Sequence, residues 1–335
     1  MELSVNKHSN REQIGHSSHD SAIMNSLKAK LEGILDSFDT TKRVVFFDYP
    51  LLLNVGDLLI NLGTECFLSD HNIHIWKRFS ADDMPESIRG MDDDVIIICQ
   101  GGGNFGDLWS RHHPGRESLL AYFPRNRIIL LPQSVHFDSP DRLQKSMERF
   151  RSHGNCHIFA RDNRSLDILQ HAGVHQSSAM PDMAQYLWGI LLPDTHPVYE
   201  SQPMRFVRRD KEAKTYAALE GEGNALHTVD WREILTLSTH RIARLILKAI
   251  DLQNRMGFHA QKYWQWRFVQ DKAIRDGVRY LSRFRKIYTN RLHGMILGLL
   301  LSREVCAFDN SYGKLSSYRE SWLSGMDDLN WEPEK

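Results

Sequence analysis

The sequence is poor in cysteine: four in 335 residues (Cys66, Cys99, Cys156, Cys306), far apart and with no CxxC pair. That argues against a zinc ribbon and a disulfide scaffold, and fits a reducing compartment. It has no long hydrophobic run. Val95–Cys99 and Met295–Leu301 are its most apolar stretches, well short of the roughly 18–20 residues a spanning helix needs. Met1 to Asp20 is polar and lacks the apolar core of a secretory signal, so a cytoplasmic location is expected. There is no excess of one charge either. Lys+Arg and Asp+Glu each number 42, which speaks against a globally basic nucleic-acid binder. The 41% hydrophobic and 10% aromatic content is too high for a disordered chain.

The zero balance hides a block. Arg241 to Asn290 holds 12 Lys/Arg against 3 Asp/Glu, together with Tyr263, Trp264, Trp266, Phe268, Tyr280 and Phe284. Three readings of it are open: a solvated helical face, a patch for acidic lipid headgroups, or a patch for an anionic substrate.

Short apolar runs, Gly/Asn/Asp turns and amphipathic stretches recur along the chain. Strands are expected at Val44–Phe47, Ile73–Trp76, Asp94–Gln100, Arg127–Leu131 and His157–Ala160. Helices are expected at Asp20–Phe38, Leu58–Phe67, Arg142–Ser152 and Asp162–Ala172. Pro193, Pro197 and Pro203 mark a candidate linker. The pattern then restarts with strand Met204–Arg208, long helices within Trp231–Gln253 and Tyr263–Arg283, strand Lys286–Thr289, a helix from Leu292 and strand Val305–Phe308. Strands alternating with helices predict an α/β fold with parallel sheets. The expected segments are a tail and first helix at 1–40, an α/β domain at 41–195 and a second at 196–335. Two such domains facing a cleft would offer a usual place for substrates.

Three segments are expected to follow strands and precede helices, where ligands bind in open α/β sheets. In Asn54-Val55-Gly56-Asp57, a cap explains one polar residue, and Gly56 suggests close backbone approach to a ligand. Gln100-Gly101-Gly102-Gly103-Asn104-Phe105-Gly106-Asp107 carries more glycine than a turn needs, and glycines let backbone N–H groups face an anion. No Walker lysine follows it. Thr289-Asn290-Arg291-Leu292-His293-Gly294 combines a guanidinium fork for carboxylate or phosphate, a helix start for the same anion, and a histidine suited to proton transfer near neutral pH. Weaker signals are Ala160-Arg161-Asp162 at a strand end and Pro132-Gln133-Ser134-Val135-His136-Phe137, where His136 is a second acid–base candidate.

These segments, with Pro181-Asp182 and Asp309-Asn310-Ser311-Tyr312-Gly313-Lys314-Leu315, resemble the polysaccharide pyruvyl transferase family, in its bacterial exopolysaccharide branch. The motifs run in order over most of the chain. The resemblance implies two Rossmann-like domains in a GT-B-like arrangement. It implies transfer of the pyruvyl group of phosphoenolpyruvate onto two sugar hydroxyls as a cyclic ketal, with release of phosphate. It places Arg291, Leu292 and His293 in the donor site and makes Arg161 the best match for an arginine from the first domain. Phosphoenolpyruvate is then a co-substrate, with no further cofactor or metal expected. The partner is a sugar acceptor, free or lipid-linked, and the lipid-linked case suits peripheral contact with the inner membrane face. No nucleic acid is expected. Asp57 and Asp107 are candidates for the partner base or for binding sugar hydroxyls, Lys314 for phosphate, and Asn54, Gly102, Gly103, Asn104 and His136 for the acceptor or the loops around it. Two other functions compete: a GT-B glycosyltransferase using a nucleotide sugar, and a non-catalytic polysaccharide-assembly protein.

Overall fold

The computed structural model describes residues 17–81, 91–108, 112–192, 199–200, 202–208, 228–256, 263–309 and 313–331. Two α/β units share the chain. One comprises 29–51 and 60–186, the other 1–28, 52–59 and 187–335. Among the described residues no helix is long and apolar enough to cross a membrane. Pro193 and Pro197 of the expected linker lie outside the described residues.

The first unit, 29–51 with 60–186, is built on a parallel sheet. Its strands are β1 (Arg43–Phe47), β2 (Ile75–Phe79), β3 (Val95–Cys99), β4 (Gly102–Gly106), β5 (Ile128–His136), β6 (Cys156–Ala160) and β7 (Ser177–Ala179). They lie in the order β2-β1-β3-β5-β6-β7, with β4 pairing β5. Strand β3, Val-Ile-Ile-Ile-Cys, is buried along its whole length, as a strand covered on both faces must be. The order reverses direction at β1/β3. That makes the carboxyl ends of these two strands the switch point, where open α/β sheets bind ligands.

The glycine-rich segment differs from the expected turn. Residues Gly102–Gly106 form β4, parallel to β5, with Gly102 opposite Gln133 and Gly106 opposite His136. Gly106, at φ +136°, lies so close to the carbonyl of His136 that no β-carbon fits there. Gly106 therefore serves strand approach. Strand β5 also runs on through Pro132-Gln133-Ser134-Val135-His136, so that segment lies within a strand. Strand β5 pairs β3 over Ile128–Leu130 and β4 from Gln133 to His136, and its register with β6 on the other side shifts between Leu130 and Gln133.

The second unit, 1–28 with 52–59 and 187–335, has strands β8 (Met204–Phe206), β9 (Thr228–Val229), β10 (Lys286–Thr289), β11 (Glu304–Ala307) and β12 (Leu329–Trp331). They are ordered β12-β11-β10-β8-β9, all parallel. Here the switch point is β8/β10. Helix α1 (Ser18–Lys30) belongs to this unit. The buried Asp20 carboxylate accepts from the backbone N–H groups of Asp327 at 2.7 Å and Asp328 at 2.9 Å. The expected helix Asp20–Phe38 ends as a 3-10 turn at Leu31–Ser37. There Gly33 lies close to Met180, whose Cε would meet a β-carbon at 2.8 Å.

Helix α2 (Val55–Asp70) begins in one unit and continues in the other. The remaining helices are α3 (His113–Tyr122), α4 (Pro140–His153), α5 (Asn163–His171), α6 (Trp231–Ile234), α7 (Leu237–Arg255), α8 (Tyr263–Ser282), α9 (Leu292–Leu300) and α10 (Lys314–Trp322). Asp162 caps α5 by accepting from Ser165 N–H at 2.8 Å. This is the side-chain oxygen a helix start requires.

Candidate active site

In the second unit, the switch point between β8 and β10 is drawn together by its own polar groups. Thr289 Oγ1 donates to the carbonyl of Phe206 at 2.6 Å, and Asn290 Oδ1 accepts from Arg208 N–H at 2.7 Å. Arg291 then sits at the N-cap of α9, its own N–H donating to Thr289 Oγ1. The Arg291 side chain makes no cap bond to α9, and the helix start is the electropositive end of its dipole. Leu292, the first residue of α9, is buried with the apolar helix behind it. Gly294 lets that helix approach the sheet, because a β-carbon there would meet Phe206 Cδ1 at 2.6 Å and Thr289 Oγ1 at 2.7 Å.

The Arg291 guanidinium is almost fully buried and pairs with Asp230, Nη2 donating to Oδ2 at 2.5 Å and Nε standing 2.5 Å from Oδ1. Asp230 follows β9. It caps α6, and Glu233 returns to the Asp230 N–H in a capping box. Its carboxylate is thereby fixed before Arg291 meets it. Such a charge-assisted bond fixes where the guanidinium sits.

His293 is half-buried against the start of α2. A β-carbon on Gly56 would stand 2.5 Å from His293 Nδ1, so glycine alone allows this approach. Asn54 holds that turn: its Oδ1 accepts from Gly56 N–H at 3.1 Å and its Nδ2 donates to Asp57 Oδ2 at 2.8 Å. Capping therefore accounts for Asn54, while Asp57 stands in the first turn of α2 as a carboxylate already bonded once. Lys314 opens α10 after β11, next to β10 in the sheet, and is buried except for a small part. Asp309 fixes that turn by accepting from Leu315 N–H at 3.0 Å and from the Ser316 hydroxyl. Asn310, Ser311 and Tyr312 of the same motif lie outside the described residues.

The first unit has its own network at the β1/β3 switch point. Arg116, fully buried, donates to Asp48 Oδ2 at 2.8 Å, to Asn104 Oδ1 at 2.6 Å and to the carbonyls of Gln100 and Asn104. His112 Nδ1 lies 2.8 Å from the other Asp48 oxygen. Asp48 itself has φ +64°, an uncommon conformation that Asn and Asp tolerate better than most residues. Gln133 Nε2 also reaches the Gln100 carbonyl, at 2.6 Å. Gly102 and Gly103 lie in β4 beside these groups.

Arg161 is fully buried. Its Nε and Nη2 donate to Ser134 Oγ at 3.1 and 2.9 Å, and its Nη1 to Asp182 Oδ2 at 2.8 Å. In this conformation its guanidinium ties the ends of β5 and β6 to the turn after β7. Asp107 accepts from the N–H groups of Asp138 and Ser139 at 2.8 and 3.1 Å, linking β4 to the cap of α4. His136 Nε2 lies 3.0 Å from Asp138 Oδ1.

The sequence-predicted residues thus fall into two groups. Asn54, Asp57, Arg291, Leu292, His293 and Lys314 belong to one unit, and Gly102, Gly103, Asn104, Asp107, His136 and Arg161 to the other. Sequence reasoning did not find Asp230, Asp48 or Arg116. The partners of Arg291 and Arg116 lie 61 and 68 residues away, and no local pattern marks such pairs.

Comparison with known proteins gives one direction. The family model described as polysaccharide pyruvyl transferase matches residues 54–312. The Bacillus subtilis protein named "Putative pyruvyl transferase EpsO" is 37% identical over 304 residues, 90% of this chain and 92% of that protein. "Pyruvyl transferase 1" of Schizosaccharomyces pombe is 25% identical over 302 residues, covering 86% of this chain and 71% of that one. A crystal structure of an uncharacterized Klebsiella pneumoniae protein aligns with TM-score 0.59 at 19% identity. It covers 92% of this chain and 98% of the other, a likeness of fold. The match spans both the Asn54 turn and the Arg291–His293 helix start, and on it this chain belongs to the polysaccharide pyruvyl transferase family.

Proposed function

We propose that this chain transfers the pyruvyl group of phosphoenolpyruvate to two hydroxyls of one sugar in an exopolysaccharide or its precursor. A cyclic ketal forms and phosphate leaves. The observation that carries the reading is the helix start at α9. A buried arginine fixed by Asp230 and a half-buried histidine flank its first residue, at the switch point of the sheet.

The donor carries a carboxylate and a phosphate. Arg291, the start of α9 and Lys314 offer the complementary positive groups. One sugar hydroxyl attacks C2 as the methylene carbon takes a proton. The second hydroxyl then attacks C2 as the bond from C2 to the phosphate oxygen breaks. Two C–O bonds form and one breaks; one hydroxyl proton ends on the new methyl group and the other leaves with phosphate. His293 serves as the proton carrier, taking a proton from a hydroxyl as imidazole and delivering one as imidazolium. Asp57 is the candidate partner carboxylate. Asn54 holds the turn beside it. Asp107, Asn104, Gly102, Gly103 and His136 are the acceptor-side candidates, and Arg161 ties the ends of β5 and β6 to the turn after β7.

Calorimetry of the purified protein with phosphoenolpyruvate, beside an Arg291→Ala variant, tests the donor. Saturable binding by the parent and its loss in a folded variant is the expected result. Binding of a nucleotide sugar with none of phosphoenolpyruvate overturns the reading in favour of a glycosyltransferase.

A further inference from the structure

The basic block resolves into two packed helices of one unit, α7 and α8, whose outer faces are unusual. Helix α7 buries Thr239, Ala243 and Ile250 inward. Its outer face exposes Leu245 and Leu252, seven residues apart and so on one side of the helix, and Met256 is exposed just past its C-terminal end. Arg241, Arg244, Lys248 and Arg255 are exposed along the edge of the same stripe. Helix α8 does the same with its tryptophans. Trp266 is fully buried, whereas Trp264 and Phe268, one turn apart, face outward. These five apolar side chains are between 54% and 70% exposed. Of the three acids, Asp276 is turned inward to Thr236 and Thr239, Asp251 pairs with Arg255 at 2.9 Å, and Asp271 is half-buried. Beside the stripe, Leu53, His240, Ala243, Arg244, Leu247, Lys248 and Asp251 line a groove of about 420 Å³.

A solvated face does not need exposed leucines, tryptophan and phenylalanine at helical spacing, and a patch for a soluble anion needs only the cations. Apolar side chains that can enter an acyl boundary, edged by cations that meet phosphates, are the requirements of an interfacial surface. A second copy of the chain fits less well. A two-fold interface would bring the same cationic edge, Arg241, Arg244 and Lys248, into it from both copies. We propose that the outer face of α7 and α8 docks this protein on an anionic lipid bilayer, with the Arg244–Lys248 groove receiving a lipid headgroup.

The test is flotation of the full chain with vesicles of phosphatidylcholine alone or with one third phosphatidylglycerol, at low and high salt. Expected is recovery with the anionic vesicles only, weakened by salt. The Leu245→Ser/Leu252→Ser variant is expected to bind about tenfold more weakly or worse, and Arg241→Gln/Lys248→Gln to lose the preference for anionic lipid. All four positions are exposed, so both variants are expected to keep the parent's melting temperature. The blue shift of tryptophan emission on binding is expected to shrink in Trp264→Phe. Equal recovery with both vesicles, or variants that bind like the parent, overturns the proposal. So does a concentration-dependent dimer in light scattering that Leu252→Glu abolishes, which assigns the face to a second copy.

Discussion

The α-carbon of Gly56 faces the imidazole of His293 so closely that a single added methyl group would come within 2.5 Å of Nδ1. The two residues lie on the first turns of different helices, α2 and α9, within one unit. Alanine is ordinarily better than glycine inside a helix by about 1 kcal/mol. Gly56→Ala is therefore expected to leave the melting temperature nearly unchanged, while displacing His293 and lowering pyruvyl transfer by about tenfold or more. Activity equal to the parent in the folded variant would separate His293 from the chemistry.

Asp230 gives a charge test of the same site. Asp230→Asn keeps the helix cap, since asparagine caps as well as aspartate, but removes the carboxylate charge that Arg291 pairs with. A guanidinium released from that partner loses preorganisation. Donor affinity measured by calorimetry is expected to fall about tenfold, or about 1.4 kcal/mol, with some loss of stability because the buried Arg291 charge loses its carboxylate. Tighter donor binding would instead mean that Asp230 competes with the donor for Arg291.

Much of this was legible along the chain because it is local. Lys286–Thr289 and the helix from Leu292 follow from period and composition, and the structure places them at those residues. So does parallel pairing in both sheets, which follows from the alternation of strand and helix. The glycines of 101–106 were misleading. A glycine-rich run reads as a turn, yet Gly101 and Gly106 serve the close lateral approach of this segment to β5, a tertiary demand no single segment reveals. Asp48, Arg116 and Asp230 were illegible for a related reason. An ordinary Asp or Arg acquires meaning only when the fold brings its partner from 61 or 68 residues away. Arg161 was legible as a strand-end arginine, but its complete burial against Ser134 and Asp182 was not.

The Arg116–Asp48 pair is a stability element at a switch point. Both groups are buried, and Arg116 also draws in Asn104 and the Gln100 carbonyl. Arg116→Met leaves the Asp48 carboxylate buried without its guanidinium. The expected cost is about 3–5 kcal/mol, read as a lower urea midpoint. Asp48→Asn in the same background is expected to recover part of the loss, because asparagine tolerates the positive φ and carries no charge. A double variant as unstable as the sum of the two single variants would show that the residues do not act as a pair.

His157 gives a prediction in pH. Burial, and then the positive charge of Arg127, press its imidazole down to about 4, from an ordinary value near 6.5. Its ring lies 3.0 Å from the Ser178 hydroxyl and packs against Phe159 at 4.5 Å between centroids. Above pH ~6.5 the ring is neutral in both folded and unfolded chains and contributes no pH dependence. Below that the unfolded chain takes up a proton which the folded chain refuses, so stability falls as pH drops from about 6.5 towards 4 and levels off beneath it. His113, also lowered chiefly by its burial, acts in the same direction. Thermal melts from pH 7.5 to 4 are therefore expected to show a declining midpoint. His157→Gln, which keeps a side chain able to meet Ser178 but cannot titrate, is expected to flatten part of that decline and leave the His113 share. An unchanged slope in the variant would place the acid sensitivity elsewhere.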